Sequence, residues 1–136
     1  MREAVVEGMS VAEAIGGWID VCASGELVEG GDGVRFEWLD PREGGGALPA
    51  FVVRFDGQPR AFLNRCAHVA MELDWLPGRF FDEAGLYLIC ATHGALYEPD
   101  SGACVAGPCR GAALLALRCE ERGGRVRVAA GPPPDR

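Results

Sequence analysis

Two short segments of this 136-residue chain carry residue types that bind metals. Cys66-Ala67-His68 offers C-x-H, and Cys90-Ala91-Thr92-His93 offers C-x-x-H. The chain has two histidines in all, and each lies within three residues of a cysteine. Histidines scattered through a core would rarely fall that way, so the pattern reads as a metal site. A structural zinc site usually draws paired cysteines from one segment and paired histidines from another. Here each segment mixes the two donors. Two loops lying side by side, with a two-metal cluster at their tips, would let each give its cysteine to an inner metal and its histidine to an outer one.

Length and composition restrict what such a site can serve. A chain of 136 residues makes one domain with a sizeable core and is too short for two independent ones. The formal charge of −7 at pH 7 argues against nucleic acid, which needs a basic face. The commoner meaning of such a balance is solubility. All 13 basic residues are arginine, a bias to which we attach no function. No apolar run approaches the roughly 18 residues of a membrane span. The N-terminus carries Glu3, Glu7 and Glu13 and lacks the apolar stretch of a signal peptide. The sequence therefore reads as cytoplasmic and not membrane-bound, where cysteine defaults to the thiol or the metal-bound thiolate. Six cysteines then point to metal or free thiols before a disulfide framework.

The elements that must position the two segments are strands. Residues 1–17 read as an N-terminal extension, because Gly16-Gly17 stops any helix begun at Ser10. Trp18 to Cys22 is a first strand, ended by Ser24-Gly25. Val34 to Trp38 alternates apolar and charged residues, placing Val34, Phe36 and Trp38 on one face. Pro41 to Pro49 reads as a flexible surface loop. Phe51–Phe55 and Ala61–Leu63 flank Asp56-Gly57, a hairpin signal, and the second strand leads directly to Cys66. Leu73 to Gly85 predicts a small hairpin or an irregular excursion, and Leu86 to Ile89 a strand leading into Cys90. Pro99 to Gly102 is a turn. Leu114–Cys119 and Val126–Val128 are expected to pair across Gly123-Gly124, before a flexible tail at 131–136. Short strands between Gly/Pro turns indicate an all-β antiparallel sandwich or barrel, spanning 18–130.

The C-x-H and C-x-x-H pair, followed by Gly94, resembles the Rieske ferredoxin family, in which two histidines replace two cysteines on one iron of a [2Fe–2S] cluster. The resemblance extends through Gly94-Ala95-Leu96-Tyr97, Ser101-Gly102 and Gly107-Pro108, the last a loop that covers the cluster in that family. It takes in roughly residues 50–120. It implies a Rieske-type β-sandwich with a small cluster-binding subdomain at about 64–110, and one [2Fe–2S] cluster per chain. By the same resemblance, Cys66 and Cys90 bind a buried iron as thiolates, and His68 and His93 bind the outer iron.

Departures from the family refine this. Respiratory Rieske proteins carry two further cysteines that form a disulfide between the cluster loops; Met71 and Thr92 stand there instead. Ala95 replaces a serine that donates to a bridging sulfide, whereas Tyr97 matches a tyrosine that donates to a cysteine sulfur. Fewer donors to sulfur leave the reduced cluster less stabilised. The expected potential lies in the lower half of the Rieske range, about −150 to +300 mV, with Tyr97 holding it above the bottom. The 21 residues between His68 and Cys90 are a long excursion for the family.

Other residues invite functional readings that blander ones outweigh. Cys104 and Cys109 flank Gly107-Pro108; free thiols are favoured over a redox-active pair. Cys22 and Cys119 read as small core hydrophobes. Trp38, Trp75, Phe80 and Phe81 read as core or cluster-shielding packing rather than an electron path. Arg118, Arg122, Arg125 and Arg127 read as a solvated hairpin face.

Rieske domains also begin oxygenase large subunits, but the mononuclear iron there needs two histidines and a carboxylate of its own. Both histidines here are already assigned. The leading expectation is an electron-transfer protein, not an enzyme, which accepts electrons from a flavin-containing reductase and passes them to an oxygenase or similar acceptor. The alternatives are a small Rieske subunit of a larger redox enzyme, as in nitrite reductases, or a redox-sensing or structural cluster module.

Overall fold

The computed structural model describes residues 17–39, 47–67, 71–92, 94–107 and 111–130. The N-terminal extension to residue 16, His68, His93, Pro108, Cys109 and the tail lie outside them, as does most of the loop predicted from Pro41. The described residues form ten strands. They are β1 (Trp18–Ala23), β2 (Val34–Leu39), β3 (Ala47–Phe55), β4 (Gln58–Leu63), β5 (Leu88–Ile89), β6 (Leu96–Tyr97), β7 (Cys104–Ala106), β8 (Ala116–Leu117), β9 (Cys119–Arg122) and β10 (Arg125–Ala129). Among the described residues the helical content is one 3-10 turn at Ser24–Glu26. The strands form three antiparallel sheets, ordered β1-β10-β9, β2-β3-β4-β8 and β5-β6-β7.

The middle sheet is the organising layer, because its central strands are buried on both faces. Along β3, Ala50 and Val52 enter a core shared with Trp38, Val126 and Val128. Phe51 and Val53 point the other way, into a core with Phe80, Leu88 and Tyr97. Strand β4 divides likewise, with Ala61 and Leu63 on the first side and Phe62 on the second. Successive strand side chains face opposite ways. A continuous apolar run such as Ala50-Phe51-Val52-Val53 is therefore the signature of a strand covered twice. The second core holds Cys66 and Cys90 as well, so the two cysteine-bearing segments are built on one face of this sheet.

Several expectations hold. Val34, Phe36 and Trp38 pack on one core, and the Trp38 indole donates to the Ala129 carbonyl at 2.9 Å, fastening two sheets together. The Asp56-Gly57 turn has positive φ at both residues, 57° and 75°. That conformation matches the right-handed twist of the strands it joins, and it favours Gly at the second position. Arg54 secures the edge of the same hairpin. Its guanidinium grips both carboxylate oxygens of Glu121 at 3.1 and 2.7 Å and donates to the carbonyls of Leu27 and Ser24. This contact holds the Glu121 carboxyl well below its usual range, at about 2.

Others need correction. The predicted loop to Pro49 ends earlier, because β3 already begins at Ala47. Pro49 is tolerated since the β3–β4 ladder starts one residue later, at Ala50↔Leu63, leaving only its carbonyl in use, as acceptor from the Asn64 amide. The strand before Cys90 is only Leu88–Ile89, and Leu86 is exposed. The last hairpin pairs Cys119–Arg122 with Arg125–Val128. Residues 116–117 instead join β4, where Leu117 fills the first core. Of the four aromatics, Trp38 and Phe80 are buried, but Trp75 is 83% exposed. It sits on the outer turn of the 73–85 excursion, which is irregular and points that ring to solvent.

Candidate metal centre

Each cysteine lies at the mouth of a loop that closes on itself through the backbone. Strand β4 runs into Asn64, and the Cys66 amide donates to the Met71 carbonyl at 2.7 Å, closing the first loop. Strand β5 runs into Cys90, whose amide donates to the Ala95 carbonyl at 2.9 Å, while the Gly94 amide returns to the Cys90 carbonyl at 2.8 Å. These bonds make the second loop a tight reversal feeding straight into β6. The loops are also joined, since the Ala91 amide donates to the Leu73 carbonyl at 3.0 Å. Both sulfur-bearing residues are buried, Cys66 at 3% and Cys90 at 0% exposure.

Tyr97 carries the electrostatics. Its register opposite Leu88 and Cys104 turns the ring inward from β6, and the residue is fully buried. The phenol oxygen accepts from the Ala67 amide at 3.0 Å and lies 3.2 Å from Cys66 Sγ. A thiolate carries no proton, so with Cys66 in that form the phenol is the donor to sulfur. Burial pushes the Tyr97 hydroxyl far above its usual range. The bond to Cys66 pushes it further, and the charges of Cys66 and Cys90 act in the same direction. The phenol therefore stays a donor throughout the neutral range.

This environment fits a metal-bound thiolate. Burial disfavours a bare thiolate, so a buried sulfur given an O–H donor needs a cation to share its charge. Cys66 meets that description, and Cys90 is buried in the same core with Tyr97 and Ala95. Ala95 is fully buried and has no side-chain donor, as the sequence indicates. Among the described residues no three His, Cys, Asp or Glu side chains converge on a metal position. His68 and His93, which would complete the set, lie outside them.

The third segment packs over the second loop. Ala106 pairs with Leu96, and Gly107, at φ 95°, comes so close that a Cβ there would lie 2.9 Å from the Ala95 Cα. A side chain at 107 would have to push this segment off the loop. Cys104, expected as a free thiol, is disulfide-bonded. The compartment default describes the average cysteine, whereas a bond depends on which sulfurs the fold brings within reach. Cys22 and Cys119 are free thiols; Cys22 is buried, and Cys119 donates to the Pro59 carbonyl. Burial raises the Cys119 thiol to about 11, an inert group.

Sequence reasoning gave no role to Asn64 or Asp74. They are the buried polar residues of the described chain. An Asn beside a loop and an Asp in a turn look ordinary, and only burial marks them out.

A change at Tyr97 tests the role of the phenol. Tyr97→Phe should lower the reduction potential, because the donor favours the more negative reduced state. Each 1.4 kcal/mol of lost preference corresponds to about 59 mV for one electron. Protein-film voltammetry of the two proteins measures it, and an unchanged or raised potential would contradict the assignment.

Comparison with known proteins agrees with this geometry. The model of the Rieske [2Fe-2S] domain family matches residues 17–125. A chain from the complex of reduced oxygenase and oxidized ferredoxin in carbazole 1,9a-dioxygenase is 24% identical. Its TM-score is 0.66, and the match covers 87% of this chain and 97% of that one. The ferredoxin of carbazole 1,9a-dioxygenase from Nocardioides aromaticivorans IC177 is 23% identical with TM-score 0.64, covering 83% and 97%. Apo dicamba monooxygenase is 24% identical with TM-score 0.67, but here the match covers 88% of this chain and 35% of that one. None of the curated proteins compared matches the sequence. Among the described residues no helix is long and apolar enough to cross a membrane. With the family match spanning most of the chain, two buried cysteines and a phenol beside the first of them, the chain belongs to the Rieske [2Fe–2S] domain family, whose members hold one such cluster per chain.

Proposed function

We propose that this chain is a one-electron carrier rather than an enzyme in its own right, working in the cytoplasm between separate redox proteins. Its donor would be a flavin-containing reductase and its acceptor an oxygenase or similar enzyme. The observation that carries the reading is the Tyr97 phenol directed at the Cys66 sulfur between two cysteines that are almost wholly buried. That arrangement holds charge on sulfur and keeps water away from it. The match to nearly the full length of the carbazole-system ferredoxin supports a carrier.

In this reading Cys66 and Cys90 hold the inner iron and His68 and His93 the outer one. The cluster supplies reversible uptake of one electron. Tyr97 offers its proton to sulfur, Ala95 offers none, and Gly107 lets the third segment lie close over the second loop.

The deciding experiment is the ultraviolet–visible and electron paramagnetic resonance spectrum of purified protein, followed by stopped-flow transfer from a flavin-dependent ferredoxin reductase. A Rieske spectrum on a small monodisperse species that passes electrons to a separate oxygenase at catalytic rates is expected. Colourless, iron-free protein would end the cluster assignment. Tight co-purification with a larger enzyme would make the chain a subunit instead, and a partner affinity that changes with oxidation state would make it a sensor.

A further inference from the structure

We propose that Asn64 and Asp74 form a buried clasp that sets the placement of the two cysteine-bearing loops, making them positioning residues for the metal centre; the metal assignment itself rests on the reading above. Asn64 is 1% exposed and Asp74 6%. The Asn64 amide nitrogen donates to Asp74 Oδ1 at 2.9 Å, and its amide oxygen accepts from the Leu73 amide at 2.8 Å. The Asn64 backbone amide donates to the Pro49 carbonyl at 2.8 Å, anchoring the clasp to the central sheet. From Leu73 the path continues through its carbonyl, which accepts from the Ala91 amide at 3.0 Å. One residue, Leu73, thus connects the residue two before Cys66 to the residue just after Cys90.

Asp74 holds the other side. Its Oδ2 accepts from the Gly78 amide at 2.9 Å and lies 3.4 Å from Arg35 Nε. Arg35 also pairs with Glu72 at 2.7 Å. The Gly78 carbonyl in turn accepts from the Gly33 amide at 2.8 Å. The long excursion between the two loops is therefore pinned at its start rather than left to wander.

The residue types are demanding. Position 64 must donate to a carboxylate and accept from an amide through one short planar group, which Asn does. Asp at 64 would set two carboxylates against each other, and Leu would leave the Leu73 amide and Asp74 Oδ1 without partners in a buried place. Asn at 74 would lose one acceptor, because its –NH₂ group would face a donor on one side.

The exchanged pair, Asn64→Asp with Asp74→Asn, restores the hydrogen bonds of the clasp while giving up the charge contact with Arg35. Asp at 64 accepts from Leu73 and from the new amide at 74, whose oxygen accepts from Gly78. The test compares wild type, the two single variants, Asn64→Leu and the exchanged pair, all as purified protein. The readouts are the Rieske electron paramagnetic resonance line shape, the rate of bleaching by a chelator, and amide hydrogen exchange at Leu73 and Ala91. Asn64→Asp and Asn64→Leu should bleach and exchange faster by on the order of tenfold, with an altered line shape. The exchanged pair should return to within about twofold of wild type.

Single variants with wild-type line shape, bleaching and exchange would overturn the clasp. So would an exchanged pair no better than the singles. Should wild type lack a Rieske signal, the functional reading falls alone. Hydrogen exchange still decides the clasp, since loss and rescue at Ala91 report on the loops whatever they bind.

Discussion

Protein carrying His93→Ala, or His68→Ala, is expected to show no Rieske-type electron paramagnetic resonance signal, with its visible absorption largely lost. Each imidazole is one of four protein donors in the assignment, and the chain has no third histidine to replace it. The effect should be all-or-none, because removing one ligand exposes an iron that solvent and chelators can extract. Cys66→Ala and Cys90→Ala should do the same, with a harsher outcome for the fold. Those residues fill the core as well as supplying the two thiolates of the assignment, and loss of Cys66 also leaves the Tyr97 hydroxyl without its sulfur partner. Iron analysis together with low-temperature spectra of dithionite-reduced samples gives the answer. A histidine variant retaining the unaltered signal would show that the ligand assignment is wrong.

Phe80→Ala is expected to destabilise the protein by about 3–5 kcal/mol, the usual range for emptying a buried aromatic site. That is a large part of the roughly 5–15 kcal/mol that holds a domain together. Phe80 is fully buried and stacks on Phe51 with ring centroids 3.9 Å apart and planes within 10°. Its backbone carbonyl accepts from the Ile89 amide, which ties the residue to the strand that delivers Cys90. Gly33 closes the other side, where an added Cβ would come within 2.9 Å of the ring. A neighbourhood this tight cannot collapse into the space left behind. Trp75→Ala, a larger truncation on paper, should change stability by no more than about 0.5 kcal/mol, as exposed positions usually do, because that indole is 83% exposed. Urea denaturation of the cluster-loaded proteins measures both. Equal costs at the two positions would refute the packing described for the excursion.

The contrast between these two aromatics shows where sequence reasoning stops. Both sit in one Gly/Pro-punctuated stretch without periodicity, and nothing local distinguishes the ring under the sheet from the ring in solvent. The hairpin at Asp56-Gly57 was legible because two adjacent residues fix a turn, and the turn fixes the register of its strands. Pro49 misled because its cost depends on whether a neighbouring strand needs its missing N–H, which is a fact about β4. Leu114 to Leu117 misled because an apolar run records that it is buried and not which strand buries it. The disulfide at Cys104 was hidden for the same reason, since proximity between sulfurs is a property of the folded chain.

By itself, then, the sequence pointed to the chemistry. Four candidate donors of two types, divided between two segments at C-x-H and C-x-x-H, suggest a mixed thiolate–imidazole centre through short-range spacing, and the family resemblance assigns their roles. Tertiary structure decided how that centre is held. It placed both cysteines in a core against a doubly covered sheet, brought Tyr97 to Cys66 across 31 residues of chain and buried Asn64 against Asp74. Those contacts join residues far apart or unremarkable in sequence, and their strength comes from the burial that only folding creates.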